Sequence, residues 1–261
     1  MESGVLGRGR SAMKAERVFF RALEERLGRK SVLRKGREVR QYFGEFGARL
    51  MSDHATHGFG QREREALDEI FRLLLGTEQP GKTVNLTHHI DGMLSPDCPL
   101  GPRIIEFDEE QHFSPFRLET LPVVQRTVEV AYDVELYRRY CCEPRYIERL
   151  LKKHRLRDPA WSRFLSPRAL VNELARHQDA LKGVSYVRPT RQFPFLGGRI
   201  AQRAYYDCLR DFFHVSRAGK AMGLKPIVRV SIYQVEEMLG GPMDRAALQA
   251  VANAVRAVLP S

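Results

Sequence analysis

Residues 88–113 read HHIDGMLSPDCPLGPRIIEFDEEQHF, and the end of that stretch limits the fold more than any other feature. Ile104 and Ile105 open an apolar run that carries Glu106 and Asp108 two positions apart. Side chains at i and i+2 of a strand share a face, so a strand over 103–107 presents both acids on one side. Asp91 lies in a second β-compatible piece, 89–94, and joins them if the two strands are neighbours. The Pro- and Gly-rich segment 96–102 supplies the turn between them. Three carboxylates in one place raise one another's pKa, and a fold tolerates that mostly where a hard divalent cation neutralises them. Oxygen ligands such as Asp91, Glu106 and Asp108 suit Mg²⁺ or Mn²⁺. Such an ion polarises a phosphodiester and acidifies an attacking water. The plainer alternative is that residues 108–110 form a solvated strand end.

The flanking pattern is α/β. Residues 61–75 place Leu67, Ile70, Phe71 and Leu74 on one helical stripe, which Gly76 and Pro80-Gly81 close. Residues 83–86 are a further short strand, giving the order helix, strand, strand, strand. Residues 121–157 are helical in pattern with Pro144 as a break or kink. A helix over 165–181 has Ser166 as its cap and Pro167 in first position, and 187–199 is a loop. The pattern resumes with a helix over 200–219, a strand over 227–232 and an amphipathic helix over 244–259. Upstream, Val18, Phe19, Phe20, Leu23 and Leu27 recur near a 3.6-residue period with Ser11 as possible cap. The expected organisation is a four-stranded mixed core of order αβββαβ. Its parts are a basic helical region at 1–58, the core at 59–112 and 200–240, a helical insertion at 113–199 and a C-terminal helix at 241–261.

Charge narrows the partners. Lys and Arg number 43 against 32 Asp and Glu, a formal net charge of +11. Such an excess attracts polyanions: nucleic acid first, an anionic membrane surface next, an acidic protein as the blander option. Arg29, Lys30, Arg34, Lys35, Arg37 and Arg40 form a dense patch that either follows a phosphate backbone or is a solvated helix face. No run of about 18 apolar residues exists, so no membrane span is expected. Arg8, Arg10 and Lys14 are followed by no apolar stretch of the secretory kind. Cys98, Cys141, Cys142 and Cys208 contain no CxxC pair, which favours neither a zinc site nor a disulfide framework. A reducing, cytoplasmic setting is the expectation.

A competing motif is GTEQPGKT at 76–83, which fits the P-loop pattern GxxxxGK[ST]. A P-loop follows a buried strand and opens a helix. Here a charged amphipathic helix precedes it and VNLTHH follows. An NTPase would depend on Lys82.

IIEFDEEQHF resembles the hhExDGxQH signature of PD-(D/E)XK nucleases grouped with very-short-patch-repair endonucleases and similar small nuclease domains. Glu106, Asp108, Gln111 and His112 match that signature, and Asp91 matches the acid of the preceding strand. AYYDCLRDFF (Tyr206, Asp207, Arg210) and GLKPIVRVSIYQVEE (Gly223, Arg229) are similar to the helix and strand that follow in those proteins. The resemblance implies a restriction-endonuclease-like αβββαβ core with a helical insertion and extra terminal helices. It also implies an acid on the first core helix, for which Glu63 is chosen with Glu65 in reserve. The family lysine is absent, Asp108 holding its place, and Glu109 replaces the glycine. His112 would orient water or protonate the leaving oxygen, or serve as a structural histidine, and Gln111 would hold a metal-bound water or the phosphate. The implied activity is a Mg²⁺- or Mn²⁺-dependent DNA endonuclease of repair or defence. Arg138, Arg139, Arg145, Arg149, Lys152, Lys153, Arg155 and Arg157 would grip the DNA backbone. Tyr137, Tyr140 and Trp161 would stack on bases or fill the core. A catalytically inactive DNA-binding protein on the same scaffold, and the NTPase, are the alternatives.

Overall fold

A computed structural model describes residues 9–45, 58–77, 90–143, 145–146, 148–149 and 166–241. Four short strands, β1 (Val32–Arg34), β2 (Gly92–Leu94), β3 (Arg103–Asp108) and β4 (Val228–Ser231), form one mixed sheet in that spatial order. β1 and β2 are antiparallel, as are β2 and β3; β4 runs parallel to β3, with Glu106 opposite Arg229 and Asp108 opposite Ser231. The helices are α1 (Gly9–Leu27), α2 (Arg37–Glu45), α3 (Gln61–Leu73), α4 (Pro115–Thr127), α5 (Val134–Cys142), α6 (Pro167–Arg176), α7 (Gly198–Phe212), α8 (Arg217–Ala221) and α9 (Ile232–Leu239). A parallel neighbour requires a crossover, and the chain from α4 to α8 supplies it between β3 and β4.

Alternation along β3 gives the sheet two covered faces. Ile105 and Phe107 enter a core with Phe19, Phe20 and Leu23 of α1, the α5 tyrosines and Ile232 of α9. Ile104 and Met93 enter a second core built from α3, α4 and α7. Phe19 stacks on Phe107 at 4.9 Å between ring centroids. α1 approaches the sheet so closely that a Cβ on Gly92 would lie 2.3 Å from the Phe20 ring. Glycine at the residue after Asp91 is therefore a packing requirement.

Several sequence expectations shift. The edge strand β1 comes from the stretch read as a basic helical region; the strand expected at 83–86 lies outside the described residues, as does the helix expected at 244–259. The helical run from 121 divides into α4 and α5, with 128–133 between them. α4 also belongs to the core: Phe116, Val123 and Val124 pack in one cluster with α3 and α7, although it falls in the segment read as an insertion. The helix expected over 200–219 stops at Phe212, because Ser216 caps a new helix by accepting from the Gly219 amide at 3.0 Å. Ser166 caps α6 with Pro167 in its first turn, as read, whereas Ser11 lies inside α1. No described helix is long and apolar enough to cross a membrane.

Candidate active site

The β2–β3 pairing brings Asp91 beside β3, where its Oδ2 accepts from the Phe107 amide at 3.1 Å. Asp91 and Glu106 then line one cavity of about 190 Å³ together with Gln111 and His112. The opposite wall is a single face of α7: Arg199, Arg203, Tyr206 and Arg210. Glu106 is 1% exposed, and its Oε1 has no hydrogen-bond partner among the described residues. Its Oε2 lies 3.3 Å from Arg210 Nε.

Burial dominates the electrostatics of these two acids. It pushes Asp91 up to about 6, with Glu16 adding to the shift and Lys35 opposing it. It also holds Glu106 well above the usual carboxylate range, against the pull of Arg210. Both acids therefore lack adequate positive compensation.

Asp108, expected beside Asp91 and Glu106, has different partners. It does share the β3 face with Glu106, but it does not line the cavity. Arg229 Nη1 donates to both of its oxygens at 3.0 Å, and the Tyr137 hydroxyl donates to Oδ2 at 2.9 Å. Burial alone would raise its pKa; Arg229, then His112, outweigh that and hold it below its ordinary value. Asp108, His112 and Asp207 place one ligand atom each within 4.8 Å of one another. Arginine donors already occupy both carboxylates, so the trio reads as part of a charge-balanced network.

That network uses the residues that carried the family resemblance. Arg229 Nε donates to Asp211 at 2.6 Å and its Nη2 to the Asp207 carbonyl at 2.9 Å. Arg210 donates to Asp207 at 2.5 Å, and Arg117 to Asp211 at 2.7 Å. Burial would raise Asp207, but His112 and Arg229 drive it well below the ordinary range. The outcome is a fixed His112: Nδ1 lies 3.0 Å from Asp207 and 3.2 Å from Asp108. Two carboxylates at Nδ1 select the tautomer that bears its proton there, leaving Nε2 as the second functional nitrogen. The short 3₁₀ turn that delivers Gln111 and His112 begins at Glu109 with φ −78° and ψ 173°, ordinary extended backbone that needs no glycine.

Glu63 is not brought to the site. It sits in the first turn of α3, beside Gly60, and does not line the cavity; Glu65 accepts from Gln61 on that helix. The helix that precedes β1 is α1, and the acid it brings is Glu16. Glu16 Oε1 lies 2.5 Å from Lys35 Nζ, which is 3.9 Å from Asp91 Oδ1. The backbone adds a tether, Lys35 N–H donating to the Asp91 carbonyl at 3.1 Å. Sequence reading missed Glu16, Lys35 as a site residue, and Arg199 and Arg203. The last two had a readable signal: 199, 203, 206 and 210 follow the i, i+4, i+7, i+11 spacing of one helical face.

Those of the expected DNA-gripping cations after α4 that are described have acidic partners. Arg139 and Arg145 bond Glu237, and Arg149 bonds Glu110 and Glu236. Tyr137 and Tyr140 are buried in the core. Lys152, Lys153, Arg155, Arg157 and Trp161 lie outside the described residues, as do His88, His89 and Lys82. What precedes the P-loop-like segment is α3, not a strand. Compared with family models, curated proteins and solved structures, the chain matches none.

Proposed function

We propose that the chain is a metal-dependent DNA nuclease whose reaction centre is the cavity at Asp91 and Glu106. The observation that carries this reading is the buried Glu106 carboxylate: one oxygen is unbonded, Asp91 stands beside it, and arginines face both. The element order supports it too. α1, β1, β2, β3, α7 and β4 follow the αβββαβ order of a restriction-endonuclease-like core, with α1 in the place expected for residues 61–75. The net charge of +11 suits a polyanionic substrate.

The donor set fits a hard divalent cation. Asp91 and Glu106 offer carboxylate oxygens whose pKa values burial raises against the pull of the nearby cations, and these two would hold Mg²⁺ or Mn²⁺. Bound there, the ion would polarise the phosphodiester and acidify the attacking water. Asp108 is excluded from that role by Arg229. The chain's own groups supply the rest. His112, with Nδ1 on Asp207, presents Nε2 as an acceptor that orients the attacking water and takes its proton, which Nε2 can then hand to the leaving oxygen. Gln111 lines the same cavity and offers an amide to water or phosphate. Lys35 supplies an amine beside Asp91, replacing in charge, though not in position, the family lysine whose place Asp108 holds. The arginines of α7 draw in the anionic substrate.

A second reading rests on the contact between Arg210 Nε and Glu106. A guanidinium already at that carboxylate competes with a cation, which favours a DNA-binding protein without catalysis. Incubating supercoiled plasmid and single-stranded DNA with Mg²⁺, Mn²⁺ or EDTA separates the two. The nuclease reading expects divalent-dependent cleavage that falls at least about a hundredfold in Asp91→Asn and in Glu106→Gln. Salt-sensitive binding with no cleavage in any metal would establish the second reading. Neither binding nor cleavage would remove DNA as the substrate.

A further inference from the structure

We infer that Arg199 and Arg203 form a phosphate subsite that holds a second phosphate of the DNA strand, next to the one that meets Asp91 and Glu106. The identity of the polyanion rests on the nuclease reading; the anion site rests on the arginines themselves.

The two guanidiniums are partly buried, four residues apart on α7, and both line the cavity. Arg203 Nη1 is buried with no hydrogen-bond partner among the described residues. Arg199 donates to Gln202 at 2.5 Å, and among the described residues no carboxylate lies in salt-bridge range of Arg199 or Arg203. Burial first, then the charge of Arg203, depresses the Arg199 pKa, and Arg188 adds to the effect. Arg210, one further step along the same face, differs in having both Asp207 and Glu106. Two like charges removed from water without a counter-ion are unfavourable, and a doubly hydrogen-bonding anion relieves both at once. Guanidinium forks match phosphate oxygens in geometry as well as charge.

The space selects the ligand. A volume of about 190 Å³ corresponds to roughly six waters at about 30 Å³ each. That is smaller than the roughly 300–1,000 Å³ of sites that enclose a whole small molecule, and it suits phosphate groups of a strand whose sugars and bases stay outside the cavity. The helix end is not the donor. The amides of Gly197, Gly198 and Arg199 are bonded to the carbonyls of Val187, Phe195 and Arg188, so the recognition falls to the side chains. Gly198 holds this start in place: a Cβ there would lie 2.0 Å from the Phe193 carbonyl oxygen. A DNA strand would then run from the acidic pair to the arginine pair, with the guanidiniums fixing which phosphodiester reaches Glu106.

The test is fluorescence anisotropy with 3′-labelled single-stranded oligodeoxynucleotides bearing a 5′-phosphate or a 5′-hydroxyl, and with an unlabelled circular strand as competitor. EDTA is present throughout and salt is varied, with wild type compared with Arg203→Gln, Arg199→Gln and Arg203→Lys. Each glutamine variant is expected to bind about tenfold more weakly or worse. The slope of log affinity against log salt should fall by about one. Arg203→Lys should keep the slope and lose part of the affinity. A loss confined to the 5′-phosphorylated strand assigns the subsite to a terminal phosphate; an equal loss on the 5′-hydroxyl and circular strands assigns it to an internal phosphodiester. Unchanged affinity and slope in both glutamine variants, with unchanged thermal melting, would overturn the subsite, and so would wild type that binds none of the strands. If the variants lose binding while wild type cleaves DNA in neither Mg²⁺ nor Mn²⁺, the nuclease reading falls and the subsite stands. If wild type and both variants cleave and bind alike, the subsite falls and the nuclease stands.

Discussion

Two groups of buried charge meet at α7, and they are wired in opposite ways. Around Arg229, the carboxylates of Asp108, Asp207 and Asp211 each receive an arginine donor, and Asp108 and Asp207 are pulled below their ordinary pKa values despite full burial. Around Glu106, burial wins. Glu106 and Asp91 are raised, Glu106 keeps an unbonded oxygen, and Arg203 keeps an unbonded nitrogen. The same residue types at similar depth thus give a finished scaffold in one place and an incomplete set of partners in the other. Buried charge is tolerated when it is matched; where it is left unmatched, a ligand is the economical explanation.

The largest expected effect probes the finished side. Arg229→Met strands Asp108 without its cation and leaves Asp211 with Arg117 alone, and should lower unfolding stability by about 3–5 kcal/mol in urea denaturation. Glu106→Gln removes an uncompensated charge and should be neutral or stabilising by up to about 1 kcal/mol. Equal losses in the two variants would break the contrast.

Next in size is the pH response of Asp91. Its pKa is raised to about 6 from an unfolded value of about 3.9. Its share of stability is therefore complete below the unfolded value and is lost as pH rises through about 6, up to about 3 kcal/mol. Asp108 and Asp207 have the opposite sign: their share is present above the unfolded value and lost as pH falls through their depressed ones. Denaturation curves between pH 4 and 7 should fall with pH in wild type and flatten in Asp91→Asn. A limb of equal steepness in both would show that Asp91 is not under-compensated.

A smaller effect sharpens the same point. Mg²⁺ at ten times its dissociation constant should stabilise wild type by about 1.4 kcal/mol in thermal melting at neutral pH, and the Asp91→Asn, Glu106→Gln double variant should not respond. The smallest effect is the one expected of Glu63→Gln, within about 0.5 kcal/mol and with unaltered cleavage. Glu16→Gln, by contrast, should slow cleavage, since Glu16 shares Lys35 with Asp91.

The part of this site that was legible in the sequence was local. Period-two alternation placed Glu106 and Asp108 on one face of β3, and Asp91, Glu106, Gln111 and His112 do meet in the cavity. What failed depended on distant partners. Asp108 and Glu106 have the same pattern, and only Arg229, on a strand reached by the long crossover, makes one a scaffold residue and leaves the other open. β1 is three residues long, too short to show a period, and it is defined by pairing with β2 some 60 positions later. With β1 unreadable, α3 is the helix that the sequence pattern puts before the strands, whereas α1 precedes β1 and brings Glu16 near Asp91 by way of Lys35. Arg199 and Arg203 repeat at helical spacing with Tyr206 and Arg210, but nothing local distinguishes a face that lines a cavity from a solvated one.

The position of β1 also sets a minimum length for the working protein. Residue 59 marks a natural division by sequence pattern, but a shortened chain starting there would lose Phe19, Phe20, Leu23, Glu16 and Lys35 together. It would also uncover the backbone of β2 as a new, unpaired sheet margin beside apolar surface. Such a fragment is expected to precipitate rather than to fold as a smaller protein, and addition of the missing N-terminal peptide, as a separate molecule, is the rational way to rescue it.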